Sequence, residues 1–580
     1  MNPALRSGRR TGVRRAFSAA FLALALAGTG AATTSSAVAA SDGTTTGKLF
    51  QKIRVAAEKQ GYVPKSVVRK PSAQSTPSAT PMIIGGSQTT IGAAPYMLQL
   101  WYSNDTSGEV IFCAGTLVAP NKVMTAAHCI DGLDWINNGL ILGGSATLLD
   151  ENAKMALVKR QWINPRYNAS TIDNDVAVLT LDRPLSLTTA KIAANTDSAL
   201  YAAGTNATVY GWGLTSSGPD GTQSEVLKKA TLPLESDATC DAALKASLGA
   251  DYFANGHMVC AGPVSTGDDA TTTTTCVGDS GGPLVVNGRV VGIVSWGVSE
   301  ANPDGSVSKY CGVAGTYPVF TKMSAYTGVT LARVNDTDWS GDGLADVFAR
   351  YKSGGTARVY KGSKLTSYSS GGSGWGSFNK VLQTDLNRDG VVDYVMRTTS
   401  GYLYWRHKSG STWVNTKITS GWSTVKQIIA PGDVTGDGLP DLMSVKSSGY
   451  LYVYPGKGNG TFGSGKSLGS GWLSYAQVVG HGDLTGDGRP DLIARTSGGA
   501  TYLFTSSTTG TFSSRKLVSS TALKSATALV ATGDVSGDGN ADLVARSSAG
   551  NLWLYKGNGN GTFASGVKAA TGMNSFNLFG

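Results

Sequence analysis

Apolar residues in this chain come mostly in short runs that alternate with polar positions and are bounded by glycine-rich turns. Residues 176–179 form one such run after a pair of acids, and residues 441–454 hold two runs around a Ser-Ser-Gly turn. Alternation with a period of two predicts strands with one buried face, and short glycine-containing connections predict hairpins. The pattern therefore predicts an all-β chain that is rich in turns.

The longest apolar run lies near the start of the chain, at residues 16–28. Five arginines and no acid precede it within residues 1–15, and the small-residue run 37–40 follows it. A basic segment, a short apolar segment and an Ala-x-Ala site are typical of a secretory signal peptide. About thirteen apolar residues cannot span a ~30 Å hydrocarbon core. We predict a signal peptide over 1–39, a secreted, extracellular protein, and no stable membrane insertion.

The net charge is +10 over 580 residues, from 49 Lys and Arg against 39 Asp and Glu. Such a balance would favour nucleic acid as a partner. However, residues 1–15 contribute +5 and residues 41–82 another +5, which leaves 37 basic and 37 acidic residues in 83–580. The distribution therefore predicts no nucleic-acid binding, and the length predicts several domains.

Three short segments of the first half carry the residue types that acyl transfer requires. His128 lies in the string TAAHC at 125–129, and Ser280 lies in GDSGGP at 278–283. Asp173 and Asp175 directly precede the alternating run at 176–179. Hydrolysis through an acyl-enzyme needs an alcohol, an imidazole base and a carboxylate that orients the imidazole. We expect Ser280 to be the nucleophile, His128 the general base, and Asp173 or Asp175 the orienting acid.

Residues 83–334 resemble the trypsin/chymotrypsin family of serine endopeptidases in these motifs, in their order, and in four further strings. These strings are IIGG at 83–86, FCAG at 112–115, YGWG at 210–213 and SWG at 295–297. The resemblance implies two six-stranded β-barrels with the active site between them. It also implies a triad of His128, Asp175 and Ser280, oxyanion-hole amides at Gly278 and Ser280, and substrate-backbone pairing by Ser295, Trp296 and Gly297.

Six cysteines lie between positions 113 and 311, and in an exported chain they favour disulfides over metal thiolates. Spacing alone leaves their pairing open. The resemblance implies the pairs Cys113 with Cys129, Cys240 with Cys260, and Cys276 with Cys311.

The resemblance further implies a zymogen, with a pro-segment over residues 40–82. Cleavage before Ile83 would free an ammonium group that pairs with Asp279. The residue before that bond is Met82 rather than Lys or Arg. We therefore expect activation by an aliphatic-directed protease or by the enzyme itself.

The resemblance also locates the pocket for the substrate side chain before the scissile bond. Thr274 stands six positions before Ser280, where an Asp would select Lys or Arg, and Pro318 stands where a glycine is common. Neither residue is acidic, and an unpaired buried guanidinium costs several kcal/mol. We expect this pocket to take an apolar or medium-sized side chain rather than to be strictly Lys/Arg-specific.

Beyond residue 334 an acidic nine-residue loop occurs five times, with successive starts 47, 48, 50 and 51 residues apart. Positions 1, 3, 5 and 9 carry oxygen side chains, position 6 is glycine, and position 7 would contribute its carbonyl. Hard oxygen ligands at this spacing suit Ca²⁺. The predicted metal ligands are Asp338, Ser340, Asp342, Leu344, Asp346, Asp385, Asn387, Asp389, Val391, Asp393, Asp433, Thr435, Asp437, Leu439, Asp441, Asp483, Thr485, Asp487, Arg489, Asp491, Asp534, Ser536, Asp538, Asn540 and Asp542.

The acids of this half are confined to these loops. Residues 333–580 hold sixteen acids, and fifteen of them occupy loop positions 1, 5 and 9. Carboxylates crowded in this way repel one another unless a cation lies among them. The sequence therefore predicts a structural Ca²⁺ ion in the repeats.

This half resembles the FG-GAP/VCBS calcium-binding β-propeller repeats over residues 335–580. The five periods imply about five blades of roughly four strands each, with a Ca²⁺ loop per blade. The C-terminal segment 572–579 is similar to 374–381, and we expect it to complete the first blade. Trp375, Trp422 and Trp472 recur after a glycine, and we interpret them as packing between blades rather than as a sugar platform.

Together these features predict a secreted serine endopeptidase that acts on proteins or peptides without a catalytic cofactor and carries a calcium-binding propeller. The alternative is a calcium-dependent adhesion or binding protein with a vestigial protease domain. Residues 83–332 carry 13 basic against 21 acidic residues, and residues 333–580 carry 24 against 16. Either the halves dock on each other, or the basic propeller binds a polyanionic, glycan or cell-surface ligand.

Overall fold

A computed structural model describes residues 45–62, 83–104, 107–193, 197–334, 337–389, 391–487, 489–507, 510–538 and 540–580. The predicted signal peptide and residues 63–82, which include Met82, lie outside the described part of the chain. Within it, no helix is long and apolar enough to cross a membrane.

Helices are few, as the alternating pattern predicts. The α-helices are α1 Thr45–Lys59, α2 Trp135–Asn138, α3 Asp237–Leu248 and α4 Met323–Val334. Short 3-10 helices span Ile91–Ala93, Ala127–Cys129, Ser198–Tyr201, Trp375–Ser377, Trp472–Ser474 and Met573–Ser575. The helix α3 begins after Ser236, whose side chain accepts from the amide of Thr239, and ends at Gly249 in the left-handed region.

Residues 83–334 are built mainly from short strands. In chain order they are β1 Ser87–Gln88, β2 Met97–Ser103, β3 Val110–Ala119, β4 Lys122–Thr125, β5 Gly139–Gly143, β6 Lys154–Ile163, β7 Ala177–Leu181, β8 Lys191–Ile192, β9 Asn206–Gly211, β10 Lys228–Pro233, β11 Met258–Cys260, β12 Pro283–Val286, β13 Arg289–Trp296, β14 Glu300–Ala301, β15 Val307–Lys309 and β16 Val319–Lys322. The first barrel is closed in the order β2-β3-β4-β7-β6-β5. It is the six-stranded barrel that the resemblance implies.

The second barrel differs in detail from the expected six strands. Its sheet runs β1-β10-β9-β12-β13-β16-β11, and the short strands β1 and β8 are additions at its margins. A single bridge between Leu234 and Ala261 joins β10 to β11 and closes the ring. The amide of Gly262 donates to Pro233 O at 2.7 Å and the amide of Glu235 donates to Cys260 O at 3.0 Å beside that bridge.

The propeller half contains five four-stranded antiparallel sheets, which form a five-bladed propeller. Its strands are β17 Val347–Tyr351, β18 Ala357–Tyr360, β19 Tyr368–Ser370, β20 Phe378–Thr384, β21 Asp393–Thr398, β22 Leu403–Ser409, β23 Thr412–Thr419, β24 Gln427–Gly432, β25 Asp441–Val445, β26 Leu451–Tyr454, β27 Lys466–Ser467, β28 Tyr475–Val479, β29 Leu492–Thr496, β30 Thr501–Phe504, β31 Lys516–Ser519, β32 Ala526–Gly533, β33 Asp542–Ser547, β34 Leu552–Tyr555, β35 Val567–Ala570 and β36 Phe576–Phe579.

The first blade has the order β19-β18-β17-β36, so its inner strand comes from the end of the chain. Ala349 pairs with Phe579 and Arg350 with Leu578. The prediction that the C-terminal segment completes the first blade is confirmed. This pairing closes the ring and covers the edge of β17.

Tryptophans pack between neighbouring blades, as predicted. Trp375 lies in one buried cluster with Phe348 of the first blade and Tyr394 of the second. Trp422 and Trp472 occupy the corresponding clusters at the next two junctions. All three indoles are less than 10 % exposed, so they are core residues and not a sugar-binding platform.

The two halves are in contact through the acidic loops. Loops 2 to 5 join the first two strands of their blades, and loop 1 precedes β17, so all five lie at one end of the propeller. The Arg160 Nη1 of β6 donates to Gly343 O in loop 1 at 2.5 Å, and its Nη2 pairs with Asp534 of loop 5. A Cβ on Gly343 would lie 2.9 Å from Thr180 of β7. The loop end of the propeller therefore packs against the first barrel.

Candidate functional site

His128 and Asp175 form a two-point contact at the edge of the first barrel. His128 Nδ1 lies 2.8 Å from Asp175 Oδ2, and the His128 amide donates to Asp175 Oδ1 at 2.8 Å. Asp175 is buried, while the His128 side chain keeps 11 % of its surface exposed. The imidazole is therefore held by its Nδ1 side and presents Nε2 away from the carboxylate.

Further hydrogen bonds to Asp175 come from the second barrel. Ser295 Oγ donates to Asp175 Oδ2 at 2.6 Å, and Thr321 Oγ1 donates to Asp175 O at 2.8 Å. Burial alone would raise the pKa of Asp175, but His128 and the Ser295 hydroxyl outweigh it and lower that pKa. The carboxylate therefore stays ionised beside the imidazole.

Asp173, the other acid considered from the sequence, has different partners. Its carboxylate lies 3.0 Å from His257 Nδ1 and accepts from the Tyr326 hydroxyl at 3.4 Å. The structure thus places Asp175, and not Asp173, against His128.

Backbone hydrogen bonds hold the Ser280 turn against β3 of the first barrel and β13 of the second. The Ala114 amide donates to Ser280 O at 2.8 Å, and the Gly281 amide donates to Val294 O at 2.9 Å. Gly281 has φ +80°, and a Cβ there would come within 2.1 Å of Thr125 Oγ1. Only glycine permits this approach, so the GDSGGP turn lies directly beside residues 125–128.

The Ser280 hydroxyl is partly exposed, and within the described residues no hydrogen bond joins it to His128. Hydrogen bonds between nucleophile and base often tighten only when substrate is bound. The structure therefore brings the three predicted triad residues to one place and connects two of them directly.

Gly278 precedes the Ser280 turn with φ +93°. A Cβ at this position would lie 2.2 Å from Gln223 Nε2, which itself donates to Trp212 O. The left-handed conformation and the tight neighbour both require glycine here. These constraints fix the orientation of the backbone at the predicted oxyanion-hole position.

Asp279 is fully buried beneath this turn. Its Oδ1 accepts from the Gly213 amide at 2.7 Å, and its Oδ2 accepts from the Cys276 amide at 3.0 Å. A Cβ on Gly211 or Gly213 would lie within 2.4 Å of the carboxylate, which explains the glycines of the YGWG string. Burial raises the pKa of Asp279 to about 6. Within the described residues no Lys, Arg or His nitrogen lies within 4.0 Å of this carboxylate.

The predicted activation segment lies near the predicted specificity pocket. The Ile83 side chain is buried among apolar residues of the second barrel, including Val209 and Leu284. Ile84 forms a β-bridge with Thr274, whose amide donates to Ile84 O at 3.0 Å. The residue that we expect at the pocket floor is therefore hydrogen-bonded to the segment that cleavage would rearrange.

The remaining predicted substrate contacts lie on or beside β13 and β16. A register shift between Val294 and Trp296 leaves Ser295 at a bulge, and this bulge turns its hydroxyl towards Asp175. Trp296 and Pro318 are buried. A Cβ on Gly297 would meet no atom within 4 Å, so the backbone there borders open space.

The structure contains the three disulfides that the resemblance implies: Cys113–Cys129, Cys240–Cys260 and Cys276–Cys311. No free cysteine occurs in the described residues. The first disulfide links the strand beside Ser280 to the residue after His128, and the third closes a loop next to the Ser280 turn.

The acidic loops share one hydrogen-bond pattern. In loop 3 the Asp433 carboxylate accepts from the amides of Gly436 and Gly438 at 2.6 and 2.7 Å. Asp437 accepts from Leu439 at 2.9 Å, and Asp441 accepts from Thr435 at 2.7 Å. The position-1 carboxylate accepts from amides of its own loop in each of the others as well, so its oxygens point into the loop.

The acids at position 9 are buried next to other carboxylates. Burial is the first cause that raises their pKa, followed in several loops by repulsion from the acid at position 1. The pKa reaches about 7 for Asp346, Asp441, Asp491 and Asp542, and about 8 for Asp393.

The donor set of the loops fits a calcium ion. In loop 1, carboxylate oxygens of Asp338, Asp342 and Asp346 lie within 4.8 Å of one another. Ser340 Oγ and Ser536 Oγ, both at position 3, and the Asp393 and Asp491 Oδ1 atoms are buried without a hydrogen-bond partner in the described structure. All of these are hard oxygen donors, which Ca²⁺ prefers. In loop 4 the Arg489 side chain additionally pairs with Asp487 at 2.6 Å.

Comparison with known proteins agrees with both halves of the structure. Residues 83–326 match the family model described as Trypsin. The ranges 385–444, 433–494 and 483–545 match the model described as FG-GAP-like repeat. These matches cover the two barrels and the central blades.

Several curated relatives match less than half of this chain. A trypsin of Saccharopolyspora erythraea is 37 % identical over 254 residues, which are 44 % of this chain and 98 % of that protein. A trypsin of Phaedon cochleariae is 35 % identical over 42 % of this chain and 85 % of its own length. Brachyurin of Leptuca pugilator is 32 % identical over 37 % of this chain and 87 % of its own. This chain belongs to the trypsin family of serine endopeptidases, and its C-terminal half carries FG-GAP-like repeats.

The structure also reveals functional contacts that sequence reasoning missed. Ser295 was assigned only to substrate pairing, yet its hydroxyl contacts Asp175, and Thr321 was not singled out at all. Arg350, Arg397 and Arg546 were also missed. Their guanidinium groups donate to backbone carbonyls at or just before the inner strand of the next blade, namely those of Trp375, Val425 and Phe576. The recurrence of Arg at one strand position in the repeats was the available signal.

Proposed function

We propose that this protein hydrolyses peptide bonds with Ser280 as nucleophile, His128 as general base and Asp175 as the group that orients His128. The observation that carries this proposal is the contact between His128 Nδ1 and the buried Asp175, beside a Ser280 turn packed on residues 125–128. A buried carboxylate in this position stabilises the imidazolium that forms when Nε2 takes a proton.

In this mechanism Ser280 Oγ attacks the carbonyl carbon of the scissile bond, and its proton passes to His128 Nε2. The amides of Gly278 and Ser280 donate to the oxyanion, and each such donor contributes roughly 3–4 kcal/mol to transition-state stabilisation. The imidazolium then gives its proton to the leaving amine and leaves an acyl-enzyme on Ser280. Water, deprotonated by His128, attacks the ester carbonyl and releases the acid product and free Ser280.

We further propose that cleavage before Ile83 activates a zymogen. Asp279 supports this proposal, because its buried carboxylate lies directly beneath the Gly278 turn and has a raised pKa of about 6. A new ammonium group at Ile83 would pair with this charge and fix the oxyanion-hole backbone. Since an α-amino group titrates near ~8, activity should fall at alkaline pH unless the pair raises that pKa.

For specificity we propose a pocket for apolar or medium-sized side chains. Thr274 and Pro318 are both buried and uncharged, so neither can compensate a buried Lys or Arg side chain. The relatives named trypsin share the fold of this half, whereas this preference rests on the residues at these two positions.

We propose that the acidic loops bind Ca²⁺ and that this binding stabilises the propeller. Asp338, Asp342 and Asp346 would hold the ion in loop 1 together with Ser340 Oγ and the Leu344 carbonyl, and the other loops would use their equivalent positions. When bound, the cation supplies positive charge between carboxylates that otherwise repel one another. No catalytic step involves it.

We propose that the protein is exported and acts outside the cell on proteins or peptides. The predicted signal peptide and the three disulfides support export, because disulfides persist in oxidising compartments. The propeller, whose Lys and Arg outnumber its acids, would bind an anionic or glycan surface that holds the protease near its substrate.

Casein hydrolysis by the chain cleaved before Ile83 tests the proposed catalysis. We expect activity that a serine-directed inhibitor abolishes and that Ser280→Ala removes. If the cleaved chain is inactive although its N-terminus is confirmed as Ile83, the adhesion alternative is favoured and the protease proposal is wrong.

A further inference from the structure

The helix α1, which lies in the predicted pro-segment, packs one face on the first barrel. It contacts β2, β3, β5 and β6. Phe50, Ile53 and Ala57 are buried, and their spacing places them on one face of the helix. They share one apolar cluster with barrel residues such as Trp101, Phe112, Leu140, Leu142 and Trp212. A segment that is only removed on activation would not need to bury apolar side chains in the core of the barrel.

Polar contacts secure the end of this helix. Gln60 Nε2 donates to Gly108 O at 3.2 Å, and Gln60 Oε1 accepts from the Val110 amide at 3.2 Å. This side chain therefore mimics a strand neighbour at the start of β3. Arg54 forms an ion pair with Glu151, and the Tyr62 ring meets the Trp101 ring edge-on at 5.6 Å between centroids.

The same cluster includes residues that adjoin the active site. Ala114 belongs to it, and the Ala114 amide donates to Ser280 O. Trp212 also belongs to it and lies between Gly211 and Gly213, the glycines that accommodate Asp279. The helix thus packs on the back of the wall that supports the Ser280 turn.

We propose that the segment 45–62 remains bound to the first barrel after cleavage before Ile83, so that the active protein is a two-chain complex. This inference rests on the proposed activation at Ile83. No cysteine lies in residues 45–62, so the attachment is non-covalent and depends on the apolar face of α1 and on Gln60. The surface on the barrel is the apolar patch around Trp101 and Phe112, and its partner is α1 of the same molecule.

Retention has a physical cause. Loss of α1 would expose Trp101, Phe112 and the adjoining leucines to water, and large exposed apolar patches are disfavoured on soluble proteins. Each apolar side chain of α1 that stays buried contributes to affinity through the surface removed from water. The bound segment therefore completes the core of the first barrel and supports the wall next to Ser280.

The test uses the full chain with an altered cleavage site before Ile83. The residues directly before Ile83 are replaced by the recognition sequence of a protease that cleaves immediately after that sequence. Ser280→Ala in this chain prevents self-digestion. After cleavage, confirmed by N-terminal sequencing, gel filtration in native buffer separates free from bound fragments, and mass spectrometry identifies them. We expect the fragment that contains 45–62 to elute with the protease in about equal molar amount. Elution of that fragment alone at the position of a free peptide overturns the inference.

Matched variants locate the contact. Ile53→Asp places a charge in the buried face and should reduce the co-eluting fragment more than about tenfold. Val55→Asp, at a position that is 64 % exposed, should leave retention unchanged. Ile53→Ala serves where Ile53→Asp prevents folding. Equal retention of the parent, Ile53→Ala and Ile53→Asp fragments counts against the inference.

A parallel sample with Ser280 intact separates the two proposals. If the cleaved protein retains the fragment but hydrolyses no casein, the proposed activation fails and the retained helix stands. If it hydrolyses casein and releases the fragment, activation stands and the retained helix is wrong.

Discussion

Arg160, on β6 of the first barrel, forms an ion pair with Asp534, the first acid of loop 5 in the propeller. The same guanidinium donates to Gly343 O of loop 1, so one side chain of the protease half contacts two acidic loops. Asn121 Nδ2 also reaches Asp338 Oδ2, at 3.5 Å. The end of the propeller that carries the acidic loops is therefore the end that meets the protease.

Arg160→Ala should loosen the contact between the halves. Hydrogen bonds to charged groups contribute about 2 kcal/mol each, and this variant removes them at both loops. Small-angle scattering should report a larger radius of gyration, while casein hydrolysis by the cleaved chain stays close to the parent value. Lys159→Ala, at an exposed position on the same strand, is the control, and an unchanged radius for Arg160→Ala would contradict the expectation.

The intact chain should lose stability as pH rises from about 4 to about 6 because of Asp279. Burial raises the pKa of this carboxyl from 3.8 to about 6. The folded state therefore binds the Asp279 proton more tightly than the unfolded state does. The resulting contribution to the free energy of unfolding is fully present below the unfolded pKa and is lost as pH rises through 6. The free energy of unfolding should fall by about 3 kcal/mol over this pH range. Urea unfolding at a series of pH values measures it.

In Asp279→Asn this part of the pH dependence should be absent. The slope between pH 4 and 6 is therefore compared in the two chains, both uncleaved. Equal slopes would mean that Asp279 does not titrate in this range.

Ser295→Ala should lower kcat about tenfold to a hundredfold, with KM nearly unchanged. The Ser295 hydroxyl donates to Asp175 at 2.6 Å, and a hydrogen bond to a charged group contributes roughly 1.5–3 kcal/mol. Its loss weakens the support of the carboxylate that orients His128, without touching the pocket at Thr274. Steady-state kinetics on one peptide substrate gives both constants, and a change confined to KM would assign Ser295 to substrate binding instead.

Calcium removal should lower the melting temperature of the propeller. A ligand at a hundred times its dissociation constant stabilises the folded state by about 2.7 kcal/mol. Differential scanning calorimetry should therefore give a lower melting temperature in a chelator than in calcium. The active-site chemistry should stay intact in both conditions. Asp441→Asn in loop 3 should reduce the calcium-dependent shift, and Asp304→Asn, at an exposed acid outside the loops, should not. An unchanged melting temperature in the chelator would exclude structural calcium.

Thr274→Asp should shift the preference towards Lys and Arg before the scissile bond. A carboxylate at the pocket floor pairs with the positive charge of a Lys or Arg side chain of the substrate, for which Thr274 offers no counter-charge. A positional peptide-library profile compares the variant with the parent and with Thr274→Ser, which keeps the hydroxyl group and adds no charge. Parent activity already directed at Lys or Arg would contradict the proposed pocket.

Much of the protein could be predicted from local patterns. The GDSGGP and TAAHC strings, the period of the acidic loops and the glycines at fixed loop positions are each dictated by backbone conformation or by ligand chemistry within a few residues. The five periods predicted five blades, the likeness of 572–579 to 374–381 predicted the completion of the first blade, and the resemblance implied the first barrel; all three are confirmed. The second barrel was less predictable, because β1 and β8 are two-residue strands that pair through distant partners.

Side-chain contacts between distant segments could not be predicted where no repeat or family motif marks them. The sequence by itself determined the chemistry: an alcohol, an imidazole and two candidate acids, followed by five loops of hard oxygen ligands. The tertiary structure places Asp175 against His128 and Asp173 against His257, in agreement with the choice of Asp175 that the resemblance implied. It also decided that α1 fills a patch on the first barrel and that Arg160 reaches loops more than 180 residues away. Side-chain burial and pairing at such separations follow from the packing of whole barrels and blades, which no short stretch of sequence specifies.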